Sequence, residues 1–365
     1  MLRHFWCFLF ITLSINAFSA APSPEKERPM SVVMVNPSVK DDPFWRKVEQ
    51  LTQEAATQLG VHFEVIYGEG NRFAQLDVLK RYLEYRATPD YLILINYPGG
   101  AEQSLSMLSK YNIKFVTLEQ TISGAERTAI GHAGEHFKNW LGEIYHDNFK
   151  AGYLLAKTLT QTLQQPKELV KPILINGHYG SESDARSDGA KAYFKEQGID
   201  VAQTVFAAWS KDQAMEKTEK LMKRYPDTNL IWCASDLMAL GSETALRQSA
   251  TTSHVAIGGF DWLDDALVFI EKDKLSASVG GHFMMGVWAL ISLYDYHHGN
   301  PYWATHQKME FDLEAITKEN IAQFSAIRQS KEWEKIDFRA LTLTHSGQKD
   351  YQVIHRFDEL LHSLK

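Results

Sequence analysis

Asn36, Glu119, Gln120, Ser235 and Asp261 each stand at the end of a short apolar run, where a buried strand would give way to a loop. Trp209 and His282 lie two or three residues past other such ends, and Phe44, Trp45 and Arg186 eight to ten residues past theirs. The set pairs aromatic rings with planar hydrogen-bonding groups. Rings cover the C–H faces of a polyol, and carboxylates, amides and guanidinium groups bond its hydroxyls with directional, often bidentate geometry. Asp261 and Arg186 carry opposite charges, so a neutral polyol can bridge them without leaving either one unpaired in a cleft. This chemistry is non-covalent recognition of a small, carbohydrate-like ligand.

Each residue also has a plain structural role open to it. Trp45 can serve the core of its own helix. Being adjacent, Phe44 and Trp45 cannot share one face, so one points to the core and the other to the cleft. Arg186 can pair with Asp184 or Asp188 at the surface, and Trp209 can close the end of its strand. Asp236 is read as the N-cap of a helix over 237–247 rather than as a ligand contact, and Asp261 can also be a cap.

Motifs for covalent catalysis are lacking. There is no G-x-S-x-G, no G-x-x-x-x-G-K-[ST] and no H-E-x-x-H. His132 and His136 flank Glu135 at a spacing that would ligate a metal on a helix. Gly131 and Gly134 disfavour that helix and no third ligand is evident, so the segment is read as a solvated loop. His297-His298 marks an exposed helix end, and Gly68-Glu69-Gly70 lacks the third glycine of a dinucleotide fingerprint. No cofactor is expected.

The elements that would position these residues alternate. Apolar runs at 31–36, 61–67, 91–96 and 114–118 read as strands. Helical patterns lie between them, such as Phe44, Val48, Leu51, Ala55 and Leu59, stopped by Gly60. A strand over 140–147 leads to a helix with Ala151, Leu154, Leu155, Thr158 and Leu159. The pattern then restarts: strands at 172–176, 201–207, 230–234, 255–260 and 275–279, with helices between, and a polar loop over 177–184 before the helix of Arg186. A helix over 283–296 and a last strand and crossover over 308–316 follow. This alternation implies parallel sheets with right-handed crossovers. Two strand–helix series in one chain imply an α/β protein of two lobes with a cleft between them. Ligands in such sheets bind at the carboxyl ends of the strands. The tail beyond 324 is less periodic. Its end, 351–365, carries Val353, Phe357, Leu360, Leu361 and Leu364 on one helical face, read as a helix docked on its own domain.

Length and composition agree. The chain has 365 residues, 44% hydrophobic and 23% charged, with a net charge of −7. That is the composition of a soluble globular protein of one large or two ordinary domains. No basic block stands out, which argues against nucleic acid as a partner. Arg3 and His4 precede an apolar run at 5–13 and then Ala17-Phe18-Ser19-Ala20-Ala21. This has the form of a secretory signal peptide over 1–21, cleaved near 19–21, followed by a polar tether; the apolar run is short for a membrane span. Of the 2 cysteines, Cys7 is lost with the signal and Cys233 is read as a buried strand residue. An exported chain with one cysteine has no internal disulfide framework.

Four segments together carry a family resemblance: Asp147-Asn148-Phe149-Lys150-Ala151-Gly152, the run Ser183 to Gly189 around Arg186, Ser235-Asp236-Leu237-Met238-Ala239-Leu240-Gly241, and Gly258-Gly259-Phe260-Asp261. In this order and at these separations the chain resembles the type 1 periplasmic binding proteins of the ribose/galactose-like group, which includes the LuxP-type autoinducer receptors. The resemblance covers about residues 31–320. It implies two Rossmann-like lobes, each a parallel sheet flanked by helices, joined by three crossovers that close around a ligand. The crossovers fall near 145–147, 280–282 and 311–316. The resemblance implies a first lobe of 28–145 plus 282–310, a second of 146–281 plus 311–325, and an extension over 326–365.

The family's first-strand aromatic contacts fall on Phe44 and Trp45, its second-lobe arginine on Arg186, its second-lobe aromatic nearest Trp209 and its Gly-Phe-Asp aspartate on Asp261. Ribose-type proteins have Asp-Arg where Glu119-Gln120 stand, and Asn-Asp where Ser235-Asp236 stand. Their hinge glutamine corresponds to Gly281, beside His282. The LuxP type matches the amide at Gln120 but has an arginine near Gly280. The resemblance implies a monomeric periplasmic protein that captures a small neutral polar ligand, a monosaccharide or close relative. It would hand that ligand to an inner-membrane ABC permease; a ligand-sensing partner of a membrane sensor kinase is the alternative. An exported enzyme using the same cleft is disfavoured for want of a nucleophile–base pair.

Overall fold

The computed structural model describes residues 28–97, 99–180, 182–249, 254–328 and 333–351. The expected signal peptide, and all of the expected terminal helix except Tyr351, lie outside them. The first five strands are β1 (Ser31–Asn36), β2 (His62–Tyr67), β3 (Tyr91–Ile95), β4 (Lys114–Glu119) and β5 (Trp140–His146). The next five are β6 (Pro172–Asn176), β7 (Gln203–Phe206), β8 (Leu230–Cys233), β9 (Ala256–Phe260) and β10 (Ala277–Gly280). Two short strands, β11 (Lys308–Phe311) and β12 (Glu314–Thr317), complete one sheet each. The orders are β2-β1-β3-β4-β5-β11 and β7-β6-β8-β9-β10-β12, so the second half repeats the plan of the first. All pairings are parallel except β10 with β12. Every residue of β3 and of β6 is buried, as expected of strands covered by helices on both faces.

The helices are α1 (Pro43–Leu59), α2 (Arg72–Tyr85), α3 (Ala101–Leu108), α4 (Gly124–Ile130), α5 (Asn148–Thr162), α6 (Glu182–Gln197), α7 (Lys211–Arg224), α8 (Asp236–Gln248), α9 (Asp264–Glu271) and α10 (Met285–His297). Helix α1 starts where Asp42 accepts hydrogen bonds from the Phe44 and Trp45 amides, with Pro43 in the first turn; it ends at left-handed Gly60. Helices α5 and α6 pack very closely. A Cβ on Gly152 would lie 1.7 Å from the Arg186 carbonyl oxygen, and one on Gly189 would lie 1.9 Å from that of Phe149. This contact fixes the height of Arg186 above its sheet.

The chain passes between the sheets three times: from β5 into α5, from β10 into α10, and from β11 into β12. His146, His282 and Phe311, one at each passage, pack together: the two imidazoles are 4.9 Å apart and Phe311 lies 5.7 Å from His146.

Three local expectations are corrected. Helix α6 begins at Glu182, inside the stretch read as loop, because Ser183 and Asp184 serve a first helical turn. Helix α8 is capped not by Asp236 but by Ser235, whose hydroxyl accepts the Met238 amide. Strand β7 spans only Gln203–Phe206, shorter than the 201–207 run. Helix α4 was not anticipated; seven residues centred on Glu126 and Arg127 carry little apolar periodicity. Cys233 is buried in β8 as expected.

The segment beyond 333 docks on the first lobe. Gln58 donates to the Ile336 carbonyl at 3.0 Å and accepts from the Phe338 amide at 3.1 Å. Buried Asp295 accepts from the Leu343 amide, the Thr344 amide and the Tyr351 hydroxyl. Trp333 stacks on Phe283 behind the second passage, 6.2 Å between ring centres.

Candidate functional site

The carboxyl ends of both sheets face a cavity of about 660 Å³. That volume lies within the range of small-molecule sites, about 300–1,000 Å³. Eight of the ten sequence candidates line it: Phe44, Trp45, Glu119, Arg186, Trp209, Ser235, Asp261 and His282. Gln120 and Asn36 are not on the wall. Gln120 turns aside to donate to Glu182 Oε2 at 3.0 Å, joining β4 to α6 across the cleft. Asn36 is fully buried and bonds the Ser38 amide through Oδ1, which shapes the loop before α1. The wall also includes Asp42, Tyr97, His178 and Glu182, which sequence reasoning missed. Asp42 could have been found from the Asp-Pro-aromatic start of α1. Glu182 could have been found only by starting α6 a turn earlier.

Backbone strain gathers here. Of the eight non-glycine residues with positive φ among those described, five are Glu119, Ala208, Trp209, Asp261 and Trp262, all at strand ends facing the cleft. Such conformations cost about 1–3 kcal/mol each and persist where the surroundings over-determine them. The surroundings are visible. A Cβ on Gly177 would lie 2.2 Å from the Trp209 ring, so only glycine lets that ring lie over the end of β6. A Cβ on Gly280 would lie 2.5 Å from Trp262 in the same way.

Asp261 is held by a short network. Its amide donates to the Val279 carbonyl at 2.9 Å. Next to it, the Trp262 indole donates to the Ser278 carbonyl at 3.0 Å. Asp236 Oδ2 accepts from the Leu263 amide and the Ser278 hydroxyl, both at 2.9 Å. Asp236 therefore buttresses the 261–263 turn rather than capping its helix.

Arg186 is almost wholly buried. Its Nε donates to Asn148 Oδ1 at 2.8 Å, its Nη1 to the Ala234 carbonyl at 2.9 Å, and its guanidinium lies over the Phe260 ring at 4.7 Å. His146 Nε2 lies 3.0 Å from the same Asn148 oxygen. That oxygen can only accept, so His146 carries its proton on Nε2. His282 places Nε2 3.2 Å from Asp261 Oδ1 and its ring 4.5 Å from Phe44. Lys47 of α1 reaches the other lobe, donating to the Trp262 carbonyl at 2.8 Å.

Burial dominates the titration of these groups. It pushes Asp261 up to about 7, against the pull of Arg186. It raises Glu119 well above the usual carboxylate range, helped by Glu182, and raises Glu182 and Asp42 as well. It holds His146 and His282 well below the ordinary imidazole value, so both are neutral near pH 7. Burial also lowers Lys47. Each shift records a charged form that has lost water without full replacement.

His132 and His136 lie in the turn-rich loop before β5. Among the described residues no group of three or more His, Cys, Asp or Glu is placed to hold a metal ion, and no helix is long and apolar enough to cross a membrane. Phe44 and Trp45 both line the cavity, where the sequence predicts only one of them, and with Trp209 they supply aromatic walls beside carboxylates and one guanidinium. This arrangement can bind and orient a small polar ring.

Comparison with known proteins agrees with this architecture. The chain is 26% identical over 282 residues to the D-allose-binding periplasmic protein of Escherichia coli (strain K12), an overlap covering 74% of this chain and 82% of that one. It is 24% identical over 268 residues to the ribose import binding protein of the same organism, covering 73% and 84%. Among solved structures, a periplasmic sugar-binding protein from Pseudomonas fluorescens superposes with a TM-score of 0.80 at 26% identity, covering 91% of this chain and 99% of that one. The family model described as a periplasmic binding protein domain matches residues 32–301, most of both lobes, and the chain belongs to that family.

Proposed function

We propose that this chain captures a monosaccharide or a close relative in the periplasm and presents it to an ABC-type importer. One observation carries the reading: Arg186 and Asp261 come from different elements of one lobe to the same cavity, between the rings of Phe44, Trp45 and Trp209. Rings stack on sugar C–H faces while the charged pair bonds hydroxyls. The relatives' names, D-allose-binding and ribose import binding, support the ligand class and the importer. In this reading residues 28–145 with 282–310 and 146–281 with 311–325 are the two lobes, residues 1–21 are an export signal, and the function is binding without turnover.

A thermal-shift screen against sugars, amino acids and nucleosides tests it. A ligand at a hundredfold its Kd stabilises by about 2.7 kcal/mol, which moves the melting point measurably. Sugars should shift wild type, and Asp261→Ala should abolish the shift while the unliganded variant still melts cooperatively. Stabilisation by an amino acid or nucleoside and by no sugar would overturn the ligand class.

A further inference from the structure

We infer that the ligand carries a positively charged amine, as an amino sugar does, and that its ammonium group sits between Glu119 and Glu182. This rests on the sugar-binding reading above and sharpens it. The sequence suggested a neutral ligand because it set one aspartate against one arginine. The structure counts differently. Asp42, Glu119, Glu182 and Asp261 all line the cavity, and Arg186 is the only lysine or arginine among the described residues that do so. Two of the Arg186 donors are already taken, by Asn148 and the Ala234 carbonyl.

The carboxylates also differ in what satisfies them. Asp42 accepts two helix amides and the Ser38 hydroxyl. Asp261 is met by the Asp236 amide, with the His282 ring 3.2 Å away but not bonded to it. Glu182 accepts from Gln120. Glu119 is about nine-tenths buried and lines the cavity, and its carboxylate receives no hydrogen bond from any described residue. Its backbone is held at φ 72, so the side chain is positioned at a conformational cost. Glu182 faces it from the other lobe and is the charge that acts on it most strongly. A buried and a half-buried carboxylate on opposite walls of one cavity repel when both are ionised. An ammonium group between them supplies the missing donors and turns the repulsion into a force closing the lobes. A neutral hydroxyl supplies one donor and no charge.

The test compares matched ligands on the full secreted chain by calorimetry near pH 7. The probes are D-glucosamine, D-galactosamine and D-mannosamine, with their parent hexoses and N-acetyl derivatives. At least one amine should bind at least about tenfold tighter than both its parent and its N-acetyl form, the scale of one charge-assisted hydrogen bond. Glu119→Gln should reduce that ratio to near one, with Glu182→Gln as a second variant; unliganded melting curves confirm that each folds. If none of the three amines binds at least about tenfold tighter than its parent hexose, this inference is overturned, and the sugar-binding reading stands as long as any sugar in the wider screen binds. Binding of no probe and of no sugar in that screen overturns both.

Discussion

Asp236→Ala and Asp236→Asn together test whether a residue that touches no ligand builds the binding site. Asp236 Oδ2 accepts from the Leu263 amide and the Ser278 hydroxyl, both buried. Alanine removes both bonds and strands two buried donors, at about 1–3 kcal/mol each, so about 3 kcal/mol of stability should be lost. Because the network holds the 261–263 turn, sugar affinity should fall as well. Asparagine keeps an acceptor in place. Asp236 Oδ1 has no partner and packs against Gly259, so the exchange leaves one unpartnered amide where an unpartnered oxygen stood. Its cost near pH 5 should be within about 1 kcal/mol.

The pH dependence separates the two variants. Burial, and after it the Asp261 carboxylate, hold Asp236 well above the usual carboxylate value. The folded protein therefore binds the Asp236 proton more tightly than the unfolded chain does. That contribution to stability is fully present below the unfolded pKa, about 4. It is lost as pH rises towards the folded value, at up to about 1.4 kcal/mol per unit. Asp236→Asn escapes this loss, so its stability relative to wild type should improve from pH 5 to pH 7. Urea unfolding of the unliganded protein, followed by tryptophan fluorescence, measures both effects. An alanine cost below about 1 kcal/mol, or an asparagine difference that does not change with pH, would refute the reasoning.

Two further outcomes are expected. His282 is kept neutral by burial, and next by Arg186, so its folded pKa lies below the unfolded value of about 6.5. Folding resists its protonation, and wild-type stability relative to His282→Gln should therefore decline as pH falls below about 6.5; parallel declines of the two proteins would contradict this. Asp295→Ala removes the acceptor for three donors of the docked extension. Limited proteolysis should then cut within 333–351 at least about tenfold faster while sugar affinity changes little, and an unchanged cleavage rate would refute the docking role.

Much of the fold was legible in the sequence because buried parallel strands read as continuous apolar runs. The runs at Leu92–Ile95 and Ile173–Ile175 have the length and composition of such strands, and both are fully buried in the fold. The passages between lobes could be placed within a few residues because Asp147, Gly281 and the short link after Phe311 break those runs. Eight of the candidate residues line the cavity because strand ends in such sheets converge on one side, a property of topology rather than of any single residue.

What the sequence determined, then, was the set of side chains brought to the strand ends, since the alternation of strands and helices is a local pattern and the handedness of the crossovers then sends those ends to one side. It could not determine their pairing. Ser235 and Asp236 are adjacent and both are plausible caps; only the position of Leu263 and Ser278, far along the chain, drew Asp236 into the turn and left the cap to Ser235. Gln120 turns to Glu182, and Glu119 is left without a donor, because α6 starts opposite β4 once the lobes are packed. The charge balance of the cavity is likewise a tertiary property. It depends on which carboxylates from distant segments are buried within reach of one another, and only the packed lobes decide that.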